Sequence, residues 1–279
     1  MENIEFYHQL LKDHEIIFSF IFFYIGSIWG SFINVVVYRL PEGLSIIYPP
    51  SFCPVCKRKL KWYNNIPIFS YIFQRGRCSF CGAKIPIRYL FIELFTGFYT
   101  LVGFILYIKL PDYQFGLWEF LSFLTIGYTG IIISYIDFKY KLIPLQVLLV
   151  GSIIQIILLF IGLKFYIWIL SPIILDALLG AFLGFFILWI VRLLGNRFFK
   201  KEAMGEGDLY LLGYLGLFGG IFSITFILLY SSFLAIIFGL LYMKYKGDKE
   251  IPYGPFLVGG FFIHYFMALT GTYYAFLFN

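Results

Sequence analysis

Apolar residues run along this chain in long unbroken blocks, not at the spacing of a half-buried helix or strand. Six blocks approach or exceed the roughly 20 residues a helix needs to cross a bilayer: about 16–38, 89–108, 117–136, 143–162, 173–194 and 255–277. A seventh, 209–242, has 34 residues, long for one crossing and short for two. Charge decides between them. Lys200 and Lys201 precede it and Lys244, Lys246 and Lys249 follow it, so a single crossing leaves one basic cluster on the wrong side. Two short spans turning near Gly219 and Gly220 return both clusters to one side and bring the total to eight.

The remaining basic residues orient the array. With the N-terminus outside, 18 of the 21 lysines and arginines fall in cytoplasmic segments, and only Lys12, Lys109 and Lys164 lie outside. The expected fold is an all-α polytopic membrane protein of eight transmembrane helices. Its parts are an extracytoplasmic N-terminus (1–15), a first transmembrane helix (16–38), a cytoplasmic loop domain (39–88) and a seven-helix membrane domain (89–279). Composition agrees: 61% of the 279 residues are hydrophobic and 13% charged, more apolar surface than a soluble domain can hide. The net charge of +6 is accounted for by these topology-setting residues, so it does not argue for a nucleic-acid partner. MENIEFYHQLLKDHE lacks the basic start and small-residue cleavage site of a signal peptide, so the first apolar block is expected to be retained.

The loop 39–88 carries all four cysteines, as Cys53 and Cys56 in SFCPVCKRKL and Cys78 and Cys81 in GRCSFCGAKI. Two C-x2-C pairs are the pattern of a tetrahedral Zn2+ site, with Pro54, Gly76 and Gly82 suiting tight knuckle turns. The competing reading is two disulfides, which rarely persist on the cytoplasmic side. Four thiolates fill the zinc shell, so the site is structural and holds together a loop with little core of its own. Zinc hydrolysis is not indicated: no H-E-x-x-H occurs, and His8, His14 and His264 are scattered.

Two carboxylates fall at ends of cytoplasm-facing helices. Asp137, in IISYIDFKYKLIP, closes the third span, and Asp208, in KKEAMGEGDLYLL, opens the sixth. Asp208 alone reads as a helix N-cap. Asp137 near a helix C-terminus opposes the macrodipole, unless solvated or paired with Lys139 or Lys141. Together they suggest an aspartic dyad, in which two close carboxylates share one proton; one takes a proton from water and the other polarises a scissile carbonyl. The helix ends favour Asp208 as the anion and Asp137 as the acid. Gly205 and Gly207 would then serve as a hinge that lets the backbone approach substrate. Glu93 lies within the second span, where an ionisable group is costly and marks either a functional site or a structural hydrogen bond. Asn34 and Arg39 divide in the same way, between function and a packing amide or interfacial anchor.

Several separated segments resemble, in order, the bacterial type IV prepilin peptidases, which are leader peptidases and N-methyltransferases of the GxGD aspartic protease group. They are GSFINVVVYRLP (30–41), LKWYNNIPIFSYIFQRGRCSFC (60–81), IPIRYLFIELFTG (85–97), GEGD (205–208) and IPYGPFLVGG (251–260). The resemblance implies eight spans in the bacterial inner membrane and cleavage at the cytoplasmic face. It implies prepilin or pseudopilin precursors as substrates, cut after a glycine that precedes a hydrophobic helix. It also implies methylation of the new N-terminus from S-adenosylmethionine, with Asp137 and Asp208 as the catalytic pair. Two positions depart from the family pattern: Tyr210 stands where a lysine is common, and Leu145 follows Ile143-Pro144 where Asp or Asn is usual. No G-x-G-x-x-G marks a methyl-donor site. The rival readings are an ion-coupled transporter using Asp137, Asp208 and Glu93, a membrane scaffold presenting the zinc module, and a GxGD protease with another membrane substrate.

Overall fold

The computed structural model describes residues 9–110, 116–163, 170–200, 204–246 and 251–270. Residues 1–8, Lys164, Lys201, Glu202, Lys249 and the predicted end of the last span (271–277) lie outside the described residues. The long elements are helical: α1 Glu15–Arg39, α2 Phe69–Phe73, α3 Arg88–Lys109, α4 Leu117–Tyr140, α5 Leu145–Leu163, α6 Leu170–Phe199, α7 Glu206–Leu234, α8 Leu240–Lys246 and α9 Gly254–Leu269. Among the described residues the only β pairing is two isolated bridges, Phe52 with Lys59 and Arg77 with Lys84. Among the described residues, five stretches are long and apolar enough to cross a membrane: Glu15–Arg39, Arg88–Lys109, Leu117–Tyr140, Ile174–Phe198 and Glu206–Lys244. Leu145–Ile161 and Gly254–Leu269 are shorter apolar helices.

The chain forms two compact units, Met1–Tyr128 and Thr129–Asn279, the division falling within α4. In the first, α1 and α3 run antiparallel along a seam of small residues. A Cβ on Gly30 would fall 2.7 Å from the Glu93 Cα, and one on Gly26 only 2.2 Å from Thr100 Oγ1. Close backbone approach is how helices gain packing energy where no hydrophobic effect drives them together. At the far end of the pair, Lys109 meets Glu15 at 2.7 Å.

In the second unit, α6 packs on α7 through Gly180, Gly184 and Gly216. The stretch Glu206–Lys244 is 39 residues, and as one straight helix it would be about 58 Å long against a hydrocarbon core of about 30 Å. It is broken instead. Gly220 has φ 75° and ψ −175°, and the next N–H, of Ile221, donates to Asp176 Oδ1 at 3.1 Å. Beyond the break, Ile224 Cδ1 lies 2.8 Å from where a Cβ on Gly216 would sit. Eight residues of straight helix would separate those positions by about 12 Å, so the chain turns back on itself. The turn falls at the Gly219-Gly220 pair, where the sequence places it. The second limb, which passes through a π-helical turn at Ala235–Gly239, runs antiparallel to α9. Ser223 bonds His264 at 2.7 Å, Gly260 sits against Ile227 and Ser231, and Ser231 bonds Tyr253 at 2.8 Å.

A side chain at 220 would meet both a left-handed backbone and the Asp176 carboxylate, 1.9 Å from the Cβ position. Gly220→Ala is therefore expected to destabilise the protein by at least about 1–3 kcal/mol, measurable as earlier unfolding in detergent. Unchanged stability would mean that the turn is not anchored there.

Candidate active site and metal centre

In the first unit the cysteine pairs form two matched knuckles. Cys53 N–H donates to Arg58 and Lys57 N–H to the Cys53 carbonyl; Cys78 N–H donates to Ala83 and Gly82 N–H to the Cys78 carbonyl. Each knuckle closes on a residue of positive φ, Lys57 at 58° and Gly82 at 70°. The four Sγ atoms lie within 4.8 Å of one another, and Cys53 and Cys81 are 3.9 Å apart. A tetrahedron with Zn–S of 2.3 Å has edges of about 3.8 Å, whereas a disulfide needs about 2.05 Å. All four cysteines are free, and the donor set fits structural zinc. Backbone N–H bonding, chiefly from Phe80, draws the Cys78 thiol down to about 7. For Cys81 the Ala83 amide pulls the same way, but desolvation and the thiols of Cys56, Cys78 and Cys53 outweigh it and leave the group at about 11. Crowded thiolates of this kind need a cation to hold all four charges together.

The three polar residues singled out beside the loop all tie this unit together. Asn34 Nδ2 donates to the carbonyls of Gly30 and Tyr89, fastening α1 to the start of α3. Arg39 is buried, donates to the carbonyls of Ser45 and Pro50, and lies 5.7 Å over the Phe52 ring. Glu93 Oε2 accepts the Ile68 N–H at 2.7 Å, and Ile68 is the N-cap of α2 at φ 64°. These three also line a cavity of about 330 Å³ with Tyr38, Tyr71 and Gln74. The cavity was not legible in the sequence, because its walls come from positions spread between Ser31 and Glu93.

In the second unit, Asp137 and Asp208 are both buried, and the charge of Asp137 acts directly on Asp208. Asp137 sits in the last turn of α4, where its Oδ2 accepts the Gly254 N–H at 2.9 Å, at the start of α9. Asp208 is not a cap: Gly205 is the N-cap of α7, and Asp208 stands in its first turn. Among the described residues no hydrogen bond to Asp208 is formed. Gly205 has an ordinary extended conformation, and neither it nor Gly207 has a positive φ. Gly207 instead leaves room for Ile143, whose Cβ would be 2.6 Å from an added Cβ. The Ile143 side chain also reaches Gly254, with its Cδ1 3.3 Å from the Cβ position there. Ile143 and Gly254, not picked out individually from the sequence, thus pack the two aspartate-bearing segments together. Glu206, within the GEGD segment, pairs with Arg192 at 2.9 Å. Tyr210 and Leu145 line one apolar recess of about 170 Å³.

An all-helical membrane protein with a four-thiol centre and a buried carboxylate pair defines a small class, and comparison with known proteins narrows it. Residues 24–107 match the model described as Bacterial Peptidase A24 N-terminal domain, and residues 123–240 match the Type IV leader peptidase family. A Myxococcus xanthus protein named prepilin leader peptidase/N-methyltransferase is 33% identical over 235 residues, 83% of this chain and 65% of that protein. Proteins of the same name are 31% identical over 259 residues in Pseudomonas putida (84% of this chain, 85% of that protein) and 31% over 274 in Pseudomonas aeruginosa (88% and 89%). No solved structure matches. The chain belongs to the type IV leader peptidase family.

The purified protein is expected to carry one zinc per chain by elemental analysis, and Cys78→Ser to lose it. A mass two hydrogens lighter per cysteine pair, with no metal, would show disulfides instead.

Proposed function

We propose that this protein is a membrane-embedded aspartic endopeptidase that removes the leader of type IV prepilin-like precursors and methylates the new N-terminus. The observation that carries the reading is the placement of Asp137 and Asp208, 71 residues apart in sequence, in one buried cluster with Ile143, Gly207 and Gly254. The membrane-chain topology proposed is eight spans in the bacterial inner membrane, with the zinc loop and the carboxylate pair on the cytoplasmic side. Its support is the distribution of lysine and arginine and the reversal at Gly220.

The hydrogen bonding favours one division of labour. The Gly254 N–H stabilises the charged form of Asp137 and so favours it as the carboxylate of the pair. Asp208 then holds the shared proton and donates it toward the scissile carbonyl, while Asp137 takes a proton from the attacking water. This reverses the assignment that the helix ends alone suggest. The recess beside Tyr210 and Leu145 supplies an apolar wall where the family pattern has polar or charged residues, which suits the hydrophobic segment that follows a prepilin cleavage point.

S-adenosylmethionine would supply the methyl group, and the cavity of the first unit fits it. Its volume is within the range of small-ligand sites, about 300–1,000 Å³. Its lining offers one carboxylate (Glu93) and aromatic rings (Tyr38, Tyr71) for a cationic ligand, with the amides of Asn64, Asn65 and Gln74 for a base and hydroxyls.

With a synthetic prepilin and reconstituted protein, Asp137→Asn and Asp208→Asn are each expected to lower leader release by about 10²–10⁴-fold while retaining zinc. Cleavage that survives in either variant would remove that carboxylate from the chemistry. Val35→Trp, which fills the cavity, is expected to abolish equilibrium binding of S-adenosylhomocysteine and leave cleavage in place. Undiminished binding would place the methyl donor elsewhere.

A further inference from the structure

The segment IPIFSYIF, residues 66–73, lies within the loop that charge assigns to the cytoplasm, yet six of its eight residues are Ile, Phe or Tyr. Its position along α1 is unexpected. Glu93, which holds the Ile68 N–H, faces Gly30, and Gly30 is nine residues above Arg39, about 13 Å of helix. The Phe69 ring reaches further, to 6.2 Å from the ring of Tyr24. Charges bracket α1 at its two ends, the Glu15–Lys109 pair and Arg39, and its 25 residues span about 37 Å. A hydrocarbon slab of about 30 Å has to sit between those charges. Ile68 and Phe69 therefore lie at bilayer depth.

Much of the segment's backbone is bonded within the protein, as that depth favours, since lipid cannot hydrogen-bond an exposed N–H; among the described residues, Ile66 and Tyr71 are the N–H groups of the segment left without such a bond. Ile68 N–H goes to Glu93, Phe69 to Pro67 at 2.6 Å, Ser70 to Ile66 at 2.9 Å, Ile72 to Ile68 at 3.1 Å and Gln74 to Ser70 at 3.0 Å. Ile68 holds a left-handed conformation that costs a branched residue strain, and the carboxylate bond keeps it there. The outward face is apolar: Phe69, Ile72 and Phe73 are exposed, Phe73 by 81%. Exposed Trp62 and Tyr63 precede the segment, and Arg75 and Arg77 follow it, the residue types that mark a membrane interface. Phe91, Phe95 and Phe98 on α3 are exposed as well, as a lipid-facing helix requires.

We propose that residues 66–73 form a re-entrant element that dips into the bilayer and returns to the same side, its Phe69–Ile72–Phe73 face resting on lipid acyl chains. Glu93 is its positioning residue. The inference depends on α1 and α3 crossing the membrane and is independent of the enzymatic reading.

The test is photocrosslinking of the full-length protein in phosphatidylethanolamine–phosphatidylglycerol vesicles. p-Benzoylphenylalanine replaces Phe73, with Phe95 as the lipid-facing reference and Val55, exposed in the zinc knuckle, as the aqueous one. The expected result is acyl-chain adducts at 73 in yield similar to 95 and several-fold above 55, with zinc content unchanged. Glu93→Ala should lower the yield at 73 several-fold, and Glu93→Gln, which keeps an acceptor oxygen, should restore it. Adducts at 73 no more frequent than at 55, or formed with another protein chain, would overturn the proposal. If the Phe73 replacement loses zinc, the same replacement at Ile72 reads the same face.

Discussion

A helix that begins inside or beside a bilayer exposes N–H groups that lipid cannot satisfy, and each one left unpaired costs several kcal/mol. This protein answers the problem with carboxylates donated by other helices. Asp137 accepts from Gly254 at the start of α9, Asp176 from Ile221 at the start of the returning limb of α7, and Glu93 from Ile68 at the start of α2. Each bond also sets where a neighbouring element begins, so the fold of each unit depends on groups that are expensive to place in a membrane at all. The positive end of a helix dipole adds to each interaction.

Asp208 is the exception: among the described residues it accepts no backbone N–H, which leaves it available for the role proposed for it. It stands in the first turn of α7, buried, within reach of the like charge of Asp137. Asp137 is thus held by the α9 backbone and lies close enough to Asp208 for its charge to bear on it. The segment IPYGPFLVGG, which contains Gly254, meets GEGD through Ile143, which packs against both Gly207 and Gly254. The glycines contribute by being small: Gly207 admits Ile143, and Gly254 leaves space for Asp137 Oδ2, 2.8 Å from its Cβ position.

Much of this was legible in the sequence because the signals were blunt. Long apolar blocks gave the helices, the lysine clusters called for a reversal and the Gly219-Gly220 pair gave its place, and the C-x2-C spacing brought four thiols to one point. Finer features were hidden for identifiable reasons. Counting charge by segment assigns a side to a loop but no depth, so the excursion of Ile66–Phe73 toward the middle of α1 did not register. A carboxylate beside a glycine reads as a cap, yet Gly205 takes that place and Asp208 stands in the first turn. Asp176 carried no motif at all; only the contact with Ile221 discloses its part in the turn. Glu93 announced a cost in its span without naming the backbone group 25 residues earlier that offsets it.

The central claim is that Asp137 and Asp208 act as one unit on one bond. The most direct measurement is the residual leader-release rate of the double variant Asp137→Asn/Asp208→Asn against those of the two single variants. Groups that work together lose almost everything when either is removed, so the double variant is predicted to cleave within a few-fold of the slower single variant. Losses that multiply would mean that the two carboxylates contribute independently, and the pair would no longer be a catalytic dyad.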